Sequence, residues 1–370
     1  MRDDGRTTWV EISRGALQKN FAVVKSHAGT PVCAVVKANA YGAGLVETAS
    51  IFHRAGARML AVTRVEEARA LRDAGIAADI LILAPPPRSL LAEAFGMNCA
   101  VALSDGTDVD PYAVAARAAG RPGRVHLKVD VGMGRLGVRP EHALGVASRV
   151  VASPDLALEG VWTHFPDAAG ETGRRHLERF LSVRGALGRY APRAILHAAN
   201  SAATLALPAS RLDMVRVGTL LYGQHPVGVQ APFPLAETFA WHATVVSVRD
   251  LPTGATVGYG SEWRARQPTR VATLPIGYAD GFSLEPSARS ESIVEAAKAG
   301  GRIAAVALKR RETRRFVWFG TETAPVVGRV AMQETTVSLE GIGGVTVGSV
   351  ARIPARRLLV GPHIERIYIP

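Results

Sequence analysis

One lysine stands where a buried strand should end. The stretch "PVCAVVKANAYGAG" (residues 31–44) runs through apolar, largely β-branched residues and then reaches Lys37. Desolvating an ammonium group is costly unless a neighbour neutralises it or a reaction uses it. Polar residues follow other apolar runs in the same way: Lys128, Asp130, Arg135, His164, His197, Asn200, Ser201 and Arg216. Together their amine, imidazole, hydroxyl and guanidinium groups could hold an anionic ligand and move protons.

The elements that must position these residues are short apolar runs that alternate with amphipathic helices. Eight such alternations lie between residue 31 and about residue 218, with helical patterns such as "RVEEARALRDAG" (64–75) and "DPYAVAARAAG" (110–120). This pattern predicts parallel strands that close into a (β/α)8 TIM-like barrel over residues 1–235. In such barrels chemistry occurs at the carboxyl ends of the strands, which is where the polar residues fall.

The pattern changes after about residue 235. Alternating β-branched segments such as "WHATVVSV" and "TRVATLPIG" are punctuated by turn residues, which predicts a mainly β domain over residues 236–370. Within it, "ESIVEAAKAGG" (291–301) has a helical pattern and "RIAAVALK" (302–309) a strand pattern. The fold class expected is therefore α/β, with an N-terminal barrel and a C-terminal mainly-β domain.

Composition narrows the classes of partner. The net charge of +12 comes mostly from scattered arginines, and the dense clusters "LKRRETRR" (308–315) and "ARR" (355–357) contain few aromatic residues to stack bases. We therefore expect no nucleic-acid partner. The chain has no apolar window of about 18 residues and no apolar signal core near its start. Cys33 and Cys99 lie in apolar runs, as reduced core thiols do, so we expect a cytoplasmic protein with no membrane partner.

Pyridoxal 5′-phosphate accounts for the polar set. This cofactor requires a lysine that holds it as a Schiff base and a partner for its pyridine nitrogen, which Lys37 and Arg216 could provide. Its phosphate requires hydroxyl and N–H donors, which Ser201 and the main chain of Gly218 and Thr219 could provide, helped by a helix start near Asn200. A guanidinium gives no proton to the ring nitrogen, which disfavours transamination and decarboxylation.

Other site chemistries have weaker support. No Cys, His or Glu spacing is typical of a metal site, so no metal is predicted. A nucleophile elbow of the G-x-S-x-G type does not occur in the sequence. The glycine-rich "GMGRLG" is similar to phosphate-cradling loops, but such patterns arise often by chance.

The order of the motifs resembles that of the pyridoxal-phosphate-dependent alanine racemases of fold type III. The matching segments are "AVVKANAYGAG", "LKVDVGMGRLG", "THF", "HAANSAA", "VRVGTLLYG", "VGYGSEW", "LPIGYADGF" and "VVGRVAM", which extend over nearly the whole chain. The resemblance implies a barrel joined to a β domain, a homodimer with shared active sites and a small amino-acid substrate.

The resemblance also implies catalytic roles. Lys37 would carry the cofactor and serve as one acid/base, and Tyr259 would be the second base, reaching into the site of the partner subunit. Arg135 would bind the cofactor phenolate and the substrate carboxylate, which the main chain of Met332 would also approach. Lys128 matches a lysine that is often carbamylated in the family, a change that would neutralise its ammonium group and let it orient Arg135.

The remaining matches concern cofactor binding. His164 would lie beneath Arg216 and link it to Tyr259. The positions that match the phosphate site are Tyr41, Ser201, Gly218 and Thr219, with Asn200 beside them. All of these roles are implied by the resemblance and do not follow from spacing.

Several positions depart from the family pattern. Gln333 stands where an aspartate is usual, Ala43 where a histidine is frequent and Gly258 where a serine is common. The segment from residue 287 to 323 is unlike the family's compact hairpin, and Tyr368 lies too near the terminus to be assigned the outer phosphate role. These changes leave alternatives open: a racemase of another amino acid, a decarboxylase or aldolase on the same scaffold, or a non-catalytic protein that binds the cofactor.

Overall fold

The computed structural model describes residues 5–185, 187, 191–284 and 315–370. Two compact units make up the chain. One comprises Ser13–Thr238 with Pro370, and the other combines the first 12 residues with Phe239–Ile369. The predicted helix at 291–301, the predicted strand at 302–309 and all of the basic cluster 308–315 except Arg315 lie outside the described residues.

The first unit is built on a parallel sheet of eight strands, whose order is β8-β7-β6-β5-β4-β3-β2-β9. These strands are β2 (Val32–Val35), β3 (Met59–Val62), β4 (Ile80–Ile82), β5 (Cys99–Leu103), β6 (Gly123–Lys128), β7 (Leu156–Trp162), β8 (Ile195–His197) and β9 (Val215–Val217). Main-chain hydrogen bonds from Asp213 N–H to Leu196 O (3.0 Å) and from Arg216 N–H to Ala199 O (2.9 Å) join the two outermost strands. The sheet thus closes almost completely into a barrel, as predicted.

Helices connect the barrel strands. They are α1 (Arg14–Ala28), α2 (Leu45–Arg54), α3 (Val65–Asp73), α4 (Leu91–Gly96), α5 (Val109–Ala118), α6 (Pro140–Ala152), α7 (Gly170–Leu181) and α8 (Ser201–Ala206). Local signals set their ends: the Ser13 side chain accepts from Ala16 N–H at the start of α1, and Gly29, with φ of 65°, ends it. The helices α3 and α5 lie where their apolar periodicity predicts.

Apolar side chains fill the amino-terminal layers of the barrel. Cys33, Met59, Leu81, Ala100 and Met214 form one buried cluster there. Polar side chains lie instead at the carboxyl ends of several strands, including Lys37 after β2, Lys128 at the end of β6 and His164 after β7. Among the described residues, no helix is both long enough and apolar enough to cross a bilayer.

The second unit consists mainly of β-strands. Its six-stranded sheet has the order β16-β15-β18-β10-β1-β19, and smaller sheets have the orders β11-β14-β17 and β12-β13. The strands are β1 (Thr8–Ser13), β10 (Phe239–Thr244), β11 (Ser247–Leu251), β12 (Thr256–Val257), β13 (Trp263–Arg264), β14 (Thr269–Leu274), β15 (Phe316–Phe319), β16 (Glu322–Pro325), β17 (Thr335–Ser338), β18 (Val350–Ile353) and β19 (Glu365–Ile369).

The second unit does not correspond to a simple division of the chain at residue 235, because it also includes the start of the chain. Strand β1, from the start of the chain, pairs antiparallel with β10, with Val10 opposite Trp241. Both side chains are fully or almost fully buried, so the N-terminal strand contributes to the core of the second unit. The segment "WHATVVSV" also divides, since β10 and β11 belong to different sheets.

Candidate active site

A cavity of about 780 Å³ opens at the carboxyl ends of the barrel strands. Four cationic side chains line it, namely Lys37, Lys128, Arg135 and Arg216. Among the described residues that line it, none is an aspartate or glutamate. Such a site favours a ligand with several negative charges, because negative charge offsets the repulsion between buried cations.

Lys37 follows β2 and begins an unusual turn. The next four residues, Ala38 to Tyr41, all have positive φ angles between 52° and 55°. A non-glycine residue in this left-handed region costs about 1 kcal/mol or more, so neighbouring groups must stabilise the turn. The carboxylate of Glu67 does so, since it accepts hydrogen bonds from Ala38 N–H (2.6 Å) and from Thr63 N–H (3.0 Å).

The amine of Lys37 has an altered proton affinity. Burial, followed by the nearby charge of Arg135, lowers the pKa of Lys37, and the charge of Glu67 partly opposes this. A lowered pKa increases the fraction of neutral amine at neutral pH, and the neutral amine is the form that attacks a carbonyl group.

A loop held by Asp130 presents Arg135. The Asp130 carboxylate accepts hydrogen bonds from the main-chain N–H groups of Gly132 (2.9 Å), Met133 (2.8 Å) and Gly134 (2.9 Å). These donors are therefore satisfied within the loop, so "GMGRLG" positions a side chain and does not cradle a phosphate. A Cβ atom on Gly137 would lie 2.8 Å from Asp130 N, which explains the last glycine of the motif.

Lys128 lies deep in the same site, with only 2% of its surface exposed. Burial, followed by the charges of Arg135 and Arg216, lowers its pKa to about 8. Its Nζ atom lies 4.7 Å from the centre of the Trp162 ring, and the guanidinium carbon of Arg216 lies 4.6 Å from the same ring. Trp162 thus stabilises two cations at once through its π face.

Arg216 is a buried cation that is bound by neutral acceptors. Its guanidinium donates to Thr163 O (2.5 Å), His197 O (2.8 Å) and Ala198 O (3.2 Å), and to Nδ1 of His197 (3.1 Å). Burial lowers the pKa of Arg216 to about 10, which leaves it protonated at neutral pH. Its Nε makes no hydrogen bond within the described part of the chain. Because Arg216 lines the cavity, this N–H could bind a ligand there.

The same cavity also offers hydroxyl groups. Ser201 Oγ accepts from Gly218 N–H (3.2 Å), which leaves the Ser201 hydroxyl hydrogen available as a donor. Tyr41 packs closely against Gly218, since a Cβ atom on that glycine would lie 2.3 Å from the tyrosine oxygen. Tyr41 also stacks on Tyr222 with ring centres 4.7 Å apart, which fixes its direction.

Asn200 and His164 complete the barrel residues predicted from the sequence. The Asn200 side chain caps α8, because its Oδ1 accepts from Ala203 N–H (3.0 Å), so it positions the adjacent Ser201. Burial, followed by the charge of Arg216, lowers the pKa of His164 to about 3, so this imidazole is neutral at physiological pH. Thr219 begins a short 3-10 helix after Gly218 and lines the cavity.

Tyr259 and Met332 belong to the second unit, where both are exposed, by 75% and 59% respectively. The loop that carries Met332 is fixed by hydrogen bonds from Tyr278 N–H to Ala331 O (3.1 Å) and from Ala279 N–H to Met332 O (3.0 Å). Tyr259 follows Gly258, whose φ of 78° suits a residue without a side chain. This unit therefore presents a phenol and a thioether to its surroundings.

Comparison with known proteins identifies the family. A family model described as the alanine racemase N-terminal domain matches residues 12–226, and one described as the alanine racemase C-terminal domain matches residues 238–359. The chain belongs to the alanine racemase family. The predictions of this family and of a racemase enzyme are therefore confirmed.

Individual alanine racemases support this assignment over most of their length. That of Chlorobaculum tepidum is 35% identical over 350 residues, which cover 92% of this chain and 85% of the relative. That of Desulfovibrio desulfuricans is 33% identical over 351 residues, which cover 93% and 88%. The crystal structure of alanine racemase from a D-cycloserine-producing Streptomyces lavendulae matches with a TM-score of 0.84 and 28% identity, over 98% of this chain and 97% of that one. The predicted barrel with an additional β domain is confirmed.

Within this alanine racemase fold, the barrel brings ten of the predicted site residues around one cavity. They are Lys37, Tyr41, Lys128, Arg135, His164, Asn200, Ser201, Arg216, Gly218 and Thr219. Sequence analysis missed Trp162, which lines the cavity, and Glu67 and His126, which lie outside the lining and bond Ala38 N–H and His197. The alternation of side chains along a strand could have identified His126. It lies two residues before Lys128 and so faces the same side of β6.

Proposed function

We propose that this protein interconverts the L and D forms of alanine with bound pyridoxal 5′-phosphate. The main support is the cavity lined by Lys37, Lys128, Arg135 and Arg216 with no carboxylate among its described lining residues, within a chain of the alanine racemase family. A phosphate, a phenolate and a substrate carboxylate would together balance these positive charges.

The residues present fit this cofactor. The neutral fraction of the Lys37 amine would attach it covalently, and the Nε atom of Arg216 that faces no described acceptor would meet its ring nitrogen. The Ser201 hydroxyl, the Tyr41 hydroxyl and the N–H of Thr219 would bind its phosphate. Arg135 would bind its phenolate, because the Asp130 loop holds this side chain at the cavity wall.

Proton exchange at the substrate's Cα requires one group on each face of that carbon. When bound, the cofactor supplies a conjugated system that stabilises the electron pair left at Cα. The Lys37 amine would take or return the proton on one face. Arg216 would remain a cation throughout and would give up no proton, which limits competing reactions that need a protonated ring.

Tyr259 of the partner subunit would act on the other face of Cα. The exposure of this tyrosine on the second unit is consistent with a role at a site that a second copy of the chain completes. Met332, exposed on the same unit, would approach the substrate carboxylate through its main chain. The link from Arg216 through His164 that the resemblance implied is not part of this proposal, because the four terminal N–H groups of Arg216 already bond His197, Thr163 and Ala198. A homodimer with shared sites is therefore part of the proposal.

Alanine is the proposed substrate despite the departure at Gln333. A profile of all common amino acids, followed by chiral analysis in deuterium oxide, tests the proposal. We expect alanine to be racemised at least about tenfold faster than any other amino acid, with deuterium incorporated at Cα. Faster racemisation of a larger or anionic amino acid, or release of carbon dioxide or an aldehyde, would contradict it.

Substitution of Gly218 by alanine should weaken cofactor binding. The added methyl group would overlap the Tyr41 hydroxyl, and overpacking of this kind costs about 1–3 kcal/mol. We expect cofactor affinity, measured by equilibrium dialysis, to fall by about tenfold to a hundredfold. Gly145→Ala is the matched control, because nothing lies within 4 Å of a Cβ atom at that helical position. Equal affinities in the two variants would argue against this phosphate site.

Lys128 should react with carbon dioxide to form a carbamate. Its pKa of about 8 leaves about a tenth of the amine neutral at pH 7 and most of it neutral at pH 9, whereas an ordinary lysine remains charged. With ¹³C-labelled bicarbonate we expect the N-terminal α-amino group, whose ordinary pKa is also about 8, to give one carbamate signal and Lys128 to give a second. The Lys128 signal should grow from pH 6 to pH 9. It should be absent in Lys128→Arg and retained in Lys19→Arg, which alters an exposed lysine. If Lys128→Arg keeps every signal of the wild type, the assignment is contradicted.

A further inference from the structure

Two buried histidines extend from Arg216 into the barrel interior. Nδ1 of His197 lies 3.1 Å from a guanidinium nitrogen of Arg216, and its Nε2 lies 2.9 Å from Nδ1 of His126. Both imidazoles are completely buried. The three side chains therefore form one continuous hydrogen-bonded chain that starts at the cavity and runs behind it.

The donor and acceptor capacities of these groups define the direction of the chain. A guanidinium can only donate, so His197 must accept at Nδ1 and carry its hydrogen on Nε2. That N–H then donates to His126, whose Nδ1 must be the acceptor. His126 consequently carries its own hydrogen on Nε2, and this atom is buried without a partner among the described residues.

Both rings stay neutral, as this arrangement requires. Burial, followed by the charge of Arg124 and then that of Arg216, lowers the pKa of His126 to about 3. Burial, followed by the charge of Arg216, lowers the pKa of His197 well below its ordinary value. A protonated ring could not accept from its neighbour, so neutrality maintains the direction of both hydrogen bonds.

The surrounding structure makes room for His126 at some cost. A Cβ atom on Gly160 would lie 2.5 Å from His126 Nδ1, and the strand register shifts between Val125 and His126, opposite that glycine. The Trp162 ring stacks on His197 with an interplanar angle of 12°. A buried N–H without a partner costs about 1–3 kcal/mol, so an apolar side chain would suit this position better if packing alone mattered.

We propose that His126 is a positioning residue for Arg216, because it stabilises the tautomer of His197 that accepts from Arg216. This inference rests on the proposed function, in which Arg216 meets the ring nitrogen of the cofactor. Without an acceptor at residue 126, the Nε2–H of His197 would be buried and unpaired. Only the contact with Arg216 would then hold this tautomer, against the cost of about 1–3 kcal/mol for the unpaired N–H. Transfer of the hydrogen to Nδ1 would remove that cost, but the new N–H would oppose an N–H of Arg216 and displace the guanidinium.

Three variants test this role. His126→Leu removes the acceptor, and His126→Asn places an amide oxygen near the position of Nδ1. Leu127→Ala is the matched control, because it removes a buried side chain from the opposite face of the same strand. The ¹⁵N spectrum of histidine-labelled protein, purified with its cofactor, reports the tautomer of His197, and its signals are assigned through His197→Gln.

A second measurement follows the cofactor site. Transamination transfers the amino group of alanine to the cofactor and releases pyruvate. The ratio of pyruvate formed to alanine racemised therefore measures transamination relative to racemisation. We expect His126→Leu to place hydrogen on Nδ1 of His197 and to increase the transamination fraction by about tenfold or more, because a lost hydrogen bond to a charged group is worth about a factor of ten. His126→Asn should retain the wild-type tautomer and most of the wild-type ratio, and Leu127→Ala should change neither.

The inference is wrong if wild-type His197 carries its hydrogen on Nδ1, or if His126→Leu retains both the tautomer and the reaction ratio. Should His126→Leu fail to fold, the wild-type and His126→Asn spectra still decide, because both must show hydrogen on Nε2 of His197. The tautomer does not depend on turnover. A protein that racemises no amino acid would therefore refute the proposed function and leave this measurement intact.

Discussion

Replacing Lys37 by alanine is expected to abolish covalent attachment of the cofactor and to reduce racemisation by about a thousandfold or more. One positioned acid/base contributes about 10²- to 10⁴-fold, and this residue would also provide the attachment. The absorption band at about 420 nm that a lysine-bound cofactor gives should be lost. The fold should survive, because the substitution removes one of four cations that repel one another around the cavity.

Two controls separate the role of this amine from its charge and from general damage. Lys19→Ala removes an exposed lysine of α1 and should leave both absorbance and rate unchanged. Added methylamine should restore part of the activity of Lys37→Ala, since a free amine can take the place of the missing one. If Lys37→Ala keeps the 420 nm band, or racemises within about tenfold of wild type, another group must hold the cofactor.

The rim of the barrel could be predicted from the sequence because polar residues interrupt apolar runs there. Lys37, His164 and Arg216 each follow or end a short β-branched segment, and parallel strands bring such ends together. The position of a residue within a strand can be predicted from its neighbours in the sequence. Each of these residues could therefore be assigned to the rim without knowledge of the rest of the fold. The mutual distances of these groups then follow from the closure of the barrel.

The supports behind the rim could not be predicted in the same way. Trp162 lies between Lys128 and Arg216, and Glu67 binds the main chain after Lys37, but in the sequence each is an ordinary strand tryptophan or helix-start glutamate. Their contacts join different strands and helices, and no spacing rule encodes them. The Asp130 loop misled the sequence analysis in the opposite way. Its glycine-rich motif is similar to phosphate-binding loops, but the carboxylate of Asp130 binds the N–H groups that would otherwise bind a phosphate.

Long-range pairing also explains the unpredicted part of the fold. Strand β1 alternates suitably for a half-buried strand, yet its partner β10 lies more than 200 residues away in the chain. A strand of six residues at the start of a chain gives no indication of which sheet it will join. The barrel strands, by contrast, pair mostly with their sequence neighbours, which is why their order was predictable.

Mixed dimers should show which subunit supplies each acid/base. The Lys37→Ala homodimer is expected to lose about a thousandfold or more of the activity, and the Tyr259→Ala homodimer about 10²- to 10⁴-fold. In a mixed dimer with one substitution on each protomer, shared sites would leave one site with both groups intact and the other with neither. Purified through two different tags, this mixed dimer should recover about half of the wild-type rate, the share of one intact site in two.

The reciprocal dimer makes the result decisive. Here one protomer carries both substitutions and its partner is wild type, so the two dimers contain the same residues in different arrangements. Shared sites would leave each site without one group, and this dimer should be nearly inactive. If each subunit instead builds its site alone, the outcomes exchange: the first dimer is inactive and the second keeps half the rate. The comparison tests the placement of Tyr259 independently of overall stability, because composition and number of substitutions are identical.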